Sequence, residues 1–156
     1  MPSRRELISM TEDELAAYLA DQRRIILTTI GPDGMPHPMP MNYGVDGQGR
    51  VVMITFAKSQ KVKNLQRDPR ATLLVESGAS YAELKSAILY CSTEVITELG
   101  DIVAIMPHIR ASDAMQASIS GQMSDQLRAV LAKRVALRFT AQRVVSWDHG
   151  KLGGVY

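Results

Sequence analysis

The chain has 156 residues, 46% of them apolar, and its 18 basic and 16 acidic residues leave a net charge of +2. That balance excludes a disordered chain and argues against a dedicated nucleic-acid binder, and no apolar run approaches the ~18 residues of a membrane span. Cys91 is the only cysteine, so no internal disulfide can form; with no signal peptide visible in MPSRRELISM, the expectation is a single cytoplasmic domain spanning residues 1–156.

Thr11 and Glu14 make a capping-box pattern before a helix, DELAAYLADQ, whose Leu15, Tyr18 and Leu19 form one apolar stripe. Arg24 to Ile30 reads as a strand, and Gly31-Pro32-Asp33-Gly34 as a turn. In the following MPHPMPMNYGV, Pro36, Pro38 and Pro40 recur every second residue. In an extended chain all three point the same way and none offers an N–H. This strand is therefore expected to pair on one side only, with its other side an edge or facing a ligand.

Asp46-Gly47-Gln48-Gly49 closes a hairpin onto Arg50–Phe56. The basic segment AKSQKVKNLQRD then opens a short helix that ends before Pro69, and Ala71–Glu76 is a strand. Ala87–Ile96 reads as a long strand. Residues 101–122 look partly helical, with Gly121 as a break and Ser124 as a cap for DQLRAVLAKR. Two closing strands, VALRFT and RVVSWD, precede a Gly-rich tail. Six or seven short strands joined mainly by hairpins, with short helices between, indicate a mostly β antiparallel barrel.

The chemistry concentrates at Met53–Arg70. An apolar strand end delivers Lys58, Ser59, Lys61 and Lys63 to one helix start. Cations, a hydroxyl and free backbone N–H groups at such a point suit a phosphate. His37, His108 and His149 lie far apart, with no H-x-x-x-H or cysteine pair, so no metal site is expected.

Four segments carry a family resemblance: LTTIGPDGMPHPMPMNY, ITFAKSQKVKNLQRDPRATLLVE, YAELKSAILYCSTEVI and RVVSWDHGKLGGVY. In this order and spacing the chain resembles the FMN-binding split-barrel family related to pyridoxamine 5'-phosphate oxidase. The resemblance implies a homodimeric antiparallel split β-barrel with FMN at the subunit interface. It further implies that Ser59 and Lys61, assisted by Lys58, grip the FMN phosphate, and that Met53, Ile54 and Thr55 flank the flavin ring through their backbone. Met41 and Asn42 would lie on the facing strand. Lys85, Ser86 and Trp147 would reach the cofactor from the partner subunit.

The implied activity is hydride or electron transfer between the flavin and a small organic substrate, with no catalytic acid or base assigned, since that chemistry belongs to the cofactor. The sequence departs from the family pattern where Lys85-Ser86 replaces Arg-Gly, where Cys91 replaces glycine and where Gln60 replaces arginine. It also lacks the oxidase's C-terminal arginine-histidine motif, which argues against pyridoxamine phosphate as substrate. Two alternatives remain open. One is the deazaflavin coenzyme F-420, whose acidic tail Lys58, Lys63 and Arg67 would serve; the other is a non-enzymatic flavin- or haem-binding protein.

Overall fold

A computed structural model of the chain describes residues 3–109 and 125–153. Two short helices open it, α1 (Arg4–Ile8) and α2 (Glu12–Asp21). Both carry reciprocal capping boxes, Ser3 with Glu6 and Thr11 with Glu14. Strands β1 (Arg24–Ile30), β2 (Pro36–Asn42), β3 (Gly44–Val45) and β4 (Val51–Phe56) follow. Next come α3 (Gln60–Arg67), β5 (Arg70–Ser77), β6 (Lys85–Ile96), α4 (Leu99–Ile105), a helix at Asp125–Leu131 and the closing strand β7 (Arg134–Asp148).

The strands form one seven-stranded antiparallel sheet in the order β2-β1-β5-β6-β7-β4-β3. Laid flat, its two edges would stand roughly 29 Å apart at ~4.8 Å per strand. Yet the edge strands β2 and β3 are separated in the chain by Tyr43 alone, which holds their ends within ~7 Å. The sheet must therefore curl into a half-barrel whose edges meet at Tyr43. That side chain is buried and donates its hydroxyl to the Leu19 carbonyl at 2.6 Å, tying the junction to α2.

Alternation along the strands places Ile25, Leu27, Met53, Leu73, Leu89, Leu137 and Phe139 inside the barrel. A second cluster covers the outer face of β4 and β7, where Val52 and Ala136 meet Ile102, Ile105 and Met106 around α4 and Leu131 of the later helix.

Several expectations need correction. The two closing strands are one continuous strand of 15 residues, because a bulge at Gln142, between the pairs Tyr90↔Arg143 and Cys91↔Ala141, lets β7 bend without breaking. The hairpin at Asp46–Gly49 joins β4 to the two-residue β3, not to the proline strand. β6 begins two residues earlier, at Lys85, and α1 was not anticipated. Of residues 101–122, helix α4 and a 3-10 turn at Met106–His108 are described. Gly121 and Ser124 lie outside the described residues.

Candidate functional site

The site starts from a hairpin that fails to close. Asp46 holds the turn by accepting from the Gln48 and Arg50 amides at 2.9 and 3.0 Å. Pairing then runs through Val45↔Val51 and Gly44↔Val52 and stops. Continued in register, Asn42 would face Ile54, Pro40 would face Phe56 and Pro38 would face Lys58. Instead, among the described residues, β2 pairs only with β1, where Pro36, Pro38 and Pro40 stand opposite Ile30, Thr28 and Ile26. Three residues without an N–H leave the far edge of β2 without donors at alternate positions, so β4 cannot zip onto it. Among the described residues, Met53–Phe56 pairs with β7 on one side and with no strand on the other. Among the described residues these two edges stay unpaired, in agreement with the one-sided pairing expected from the prolines, and the region between them is the slot of the candidate site.

The basic loop stands at the wide end of this slot. Ser59 is the N-cap of α3 but makes no capping bond, and its Oγ is buried without a hydrogen-bond partner. An unpaired buried hydroxyl is unfavourable by about 1–3 kcal/mol; a phosphate oxygen would relieve it. Lys61 is half-buried, and this partial burial pushes its ammonium below the ordinary lysine value. Lys58 and Lys63 are exposed. With no acidic residue in its first turn, α3 presents an uncompensated positive dipole end here. These residues therefore fit the phosphate of a flavin nucleotide.

Helix α3 is held rigidly behind them. Val62 and Leu65 insert into the barrel core. Asn64 Nδ2 donates to Thr29 Oγ1 at 3.0 Å, and Arg67 donates to the Ile30 carbonyl. Arg67 is thus engaged in fixing the helix.

The wall residues divide by pleat. The Met53 side chain is wholly buried in the core and Thr55 is buried, whereas Ile54 turns outward onto the second cluster. These three residues can offer the slot chiefly their unpaired backbone. Across from them, Met41 is half-buried against the barrel core and Asn42 is exposed.

Lys85, Ser86 and Trp147 are not brought to this place within one subunit. Arg134, at the start of β7, pairs with Phe56 beside the basic loop, while Asp148 at its end pairs with Lys85. That separation is up to ~46 Å along the strand at ~3.3 Å per residue. Lys85 Nζ forms an ion pair with Asp148 at 3.1 Å and lies 5.2 Å from the centre of the Tyr18 ring. Ser86, its neighbour, faces the opposite side of the sheet and donates its hydroxyl to the Val75 carbonyl at 2.8 Å. Trp147 pairs with Ser86 on that same outer face and is half-buried.

Three residues around the site escaped the sequence reading. Asn64 anchors α3; the N-L of its helix carried that signal. Arg134 stacks on Phe56 at 4.2 Å with its Nε buried and unpaired, and nothing in the sequence marked it. His37 has its Nδ1 buried without a partner; its place between two prolines could have signalled a fixed orientation. A separate cleft of about 360 Å³, lined by residues such as Thr28, Arg70, Tyr90 and Gln142, contains none of the expected site residues.

Residues 11–148 match the family described as pyridoxamine 5'-phosphate oxidase. The fold is similar to that of a conserved hypothetical protein from Mycobacterium tuberculosis, with 34% identity, a TM-score of 0.81 and coverage of 99% of this chain and 95% of that one. A FAD-binding protein from Mesorhizobium loti shares the fold at 16% identity and a TM-score of 0.66, over 88% of this chain and 94% of its own. So does an F-420 reductase, at 16% identity and a TM-score of 0.59, over 92% and 98%.

Proposed function

The chain belongs to the pyridoxamine 5'-phosphate oxidase family, and from that premise we propose that it is a homodimeric FMN-dependent oxidoreductase acting on a small organic substrate. The observation that carries this reading is the pairing of an unsatisfied buried hydroxyl, Ser59 Oγ, with the half-buried Lys61 at the uncapped start of α3, beside the slot. Ser59 and Lys61 bind the phosphate, and Lys58 adds charge at the rim. The free backbone edge of Met53–Thr55 orients the ring, with Met41 and Asn42 on the opposite wall. Hydride transfer is the chemistry that bound FMN supplies; the chain contributes binding, orientation and exclusion of water. The departures at Gln60, Lys85 and Ser86 from the family pattern argue against pyridoxamine phosphate as the substrate.

The dimer is supported by the outer face of the sheet. Pro40, Ile26, Leu74, Ile88 and Val145 follow one another across five paired strands as an unbroken apolar row. Ile26 is exposed. A second copy would cover this row and bring its own Trp147, on the same face, toward the first copy's slot. Lys85 and Ser86 already have partners within the chain, so of the three residues expected from the second subunit, Trp147 is the strongest candidate.

Titration with FMN, followed by quenching of flavin fluorescence, tests the proposal. Micromolar binding together with a dimer in sedimentation is the expected result, and no binding at that concentration would overturn it. A second reading, the deazaflavin coenzyme F-420, is favoured by the exposed Lys58 and Lys63 at the rim, which suit a longer anionic tail. Titration with both cofactors in parallel separates the two, and preference for FMN dismisses the second.

A further inference from the structure

We propose that His37 is a further phosphate-binding residue of this slot, donating from Nδ1 to the anion beside Ser59 and Lys61; this rests on the flavin nucleotide reading above. Three separate observations meet on this side chain. The first is its level along the barrel. The register of the Asp46–Gly49 hairpin, extrapolated beyond its last pair Gly44↔Val52, would bring His37 to the level of Ser59.

The second is its neighbour on the other side. His37 pairs with Thr29 of β1, so the two side chains share one face of the sheet with their Cβ atoms roughly 5 Å apart. Thr29 Oγ1 in turn accepts from Asn64, one turn into α3. Thr29, the cross-strand neighbour of His37, is therefore bonded to the same short helix that carries the phosphate grip.

The third is its unmet hydrogen bonding. His37 Nδ1 is buried without a partner, as is Ser59 Oγ. Two buried polar atoms are left unpaired, one on the N-cap of α3 and one on the strand paired with β1, to which α3 is bonded. A phosphate provides acceptor oxygens for both, whereas a neutral apolar ligand would leave both orphaned. Pro36 and Pro38 on either side restrict the backbone, so His37 cannot turn its ring to the outer face without reversing the strand's pleat.

The experiment compares FMN with riboflavin, which carries the same ring without the phosphate. Both are titrated by fluorescence quenching against the wild-type chain, His37→Ala and His37→Gln, with thermal unfolding of each variant as the control for folding. His37→Ala is expected to weaken FMN binding about tenfold, the loss of one charge-assisted contact, and to leave riboflavin binding unchanged. His37→Gln, which retains a donor, is expected to recover part of the loss. Unchanged FMN affinity in both variants, with a wild type that binds FMN, would overturn this inference alone. Equal losses for FMN and riboflavin would overturn it in favour of a purely structural role. A wild type that binds neither ligand would overturn this inference and the functional reading together.

Discussion

Asn64 and Thr29, both wholly buried, are joined by a hydrogen bond of 3.0 Å between the basic helix and the first strand of the barrel. Gln60 adds a bond of 2.9 Å to Asn64 Oδ1. The position of the phosphate grip therefore depends on a residue that is itself out of reach of the ligand. Replacing Asn64 by alanine leaves the Thr29 hydroxyl unpaired in the core. The expected cost is about 1–3 kcal/mol of stability, measured by urea unfolding. Asn64→Ala combined with Thr29→Val should recover much of that loss, since both polar partners are then gone; a fully additive double variant would show that the bond contributes nothing.

Lys61 provides the pH signature. Its ammonium is held below the ordinary lysine value by partial burial. FMN affinity is expected to stay level through neutral pH and to fall on the alkaline side as Lys61 loses its proton, because only the charged form attracts the phosphate. The unliganded fold should respond in the opposite sense. Burial favours the neutral amine, so the stability cost is present below the folded-state pKa and fades as pH rises through it toward the unfolded value. Lys61→Ala should weaken FMN by about 1–3 kcal/mol and flatten the alkaline fall, as read by calorimetric titration across pH.

The outer apolar row predicts the oligomeric state. Ile88 sits within it, paired with Leu74 on one side and Val145 on the other. Ile88→Asp should give a folded monomer by sedimentation velocity, because a carboxylate is tolerated in water but not in a buried dimer seam. FMN affinity should fall with it if the partner's face completes the slot. A variant that remains dimeric would place the subunit contact elsewhere.

Gly44 tests the seam of the barrel. A Cβ at this position would lie 1.7 Å from the His108 carbonyl oxygen and 2.8 Å from the Ile109 Cα. Gly44 also forms an isolated bridge to Ile109, so the close approach is backbone on backbone and cannot be relieved by a side-chain rotation. Gly44→Ala is expected to cost about 3 kcal/mol or more, at or beyond the upper end of overpacking effects, seen as a lowered Tm. An unaltered Tm would mean that the segment after α4 moves away freely.

What the sequence disclosed, and what it withheld, follows from the range of the interactions. The capping box at Thr11, the proline alternation of β2 and the basic start of α3 are local patterns, and each predicted its element and its edge. The fusion of the last two strands was not legible, because the bulge at Gln142 is set by pairing with Tyr90 and Cys91, some fifty residues away in the chain. The phosphate grip was legible from lysine and serine at a helix start. The bond of Asn64 was not, since its partner Thr29 lies 35 residues earlier and meets it only after folding, and the unmet hydrogen bonding of His37 is a property of the packed strand that no linear pattern records. Lys85 and Ser86 stand side by side in the sequence, but the pleat sends them to opposite faces, and no linear motif conveys that.

The imino acids of β2 also bear on how such a protein can change. The gap between the two strands is maintained by missing amide hydrogens in the main chain, not by the bulk of any side chain. Side chains lining either bank can therefore be exchanged, and the preference for one guest over another redrawn, without the gap sealing itself. A single substitution restoring an amide at Pro38 or Pro40 would do the reverse, giving the strands a first stitch from which the opening could begin to knit shut.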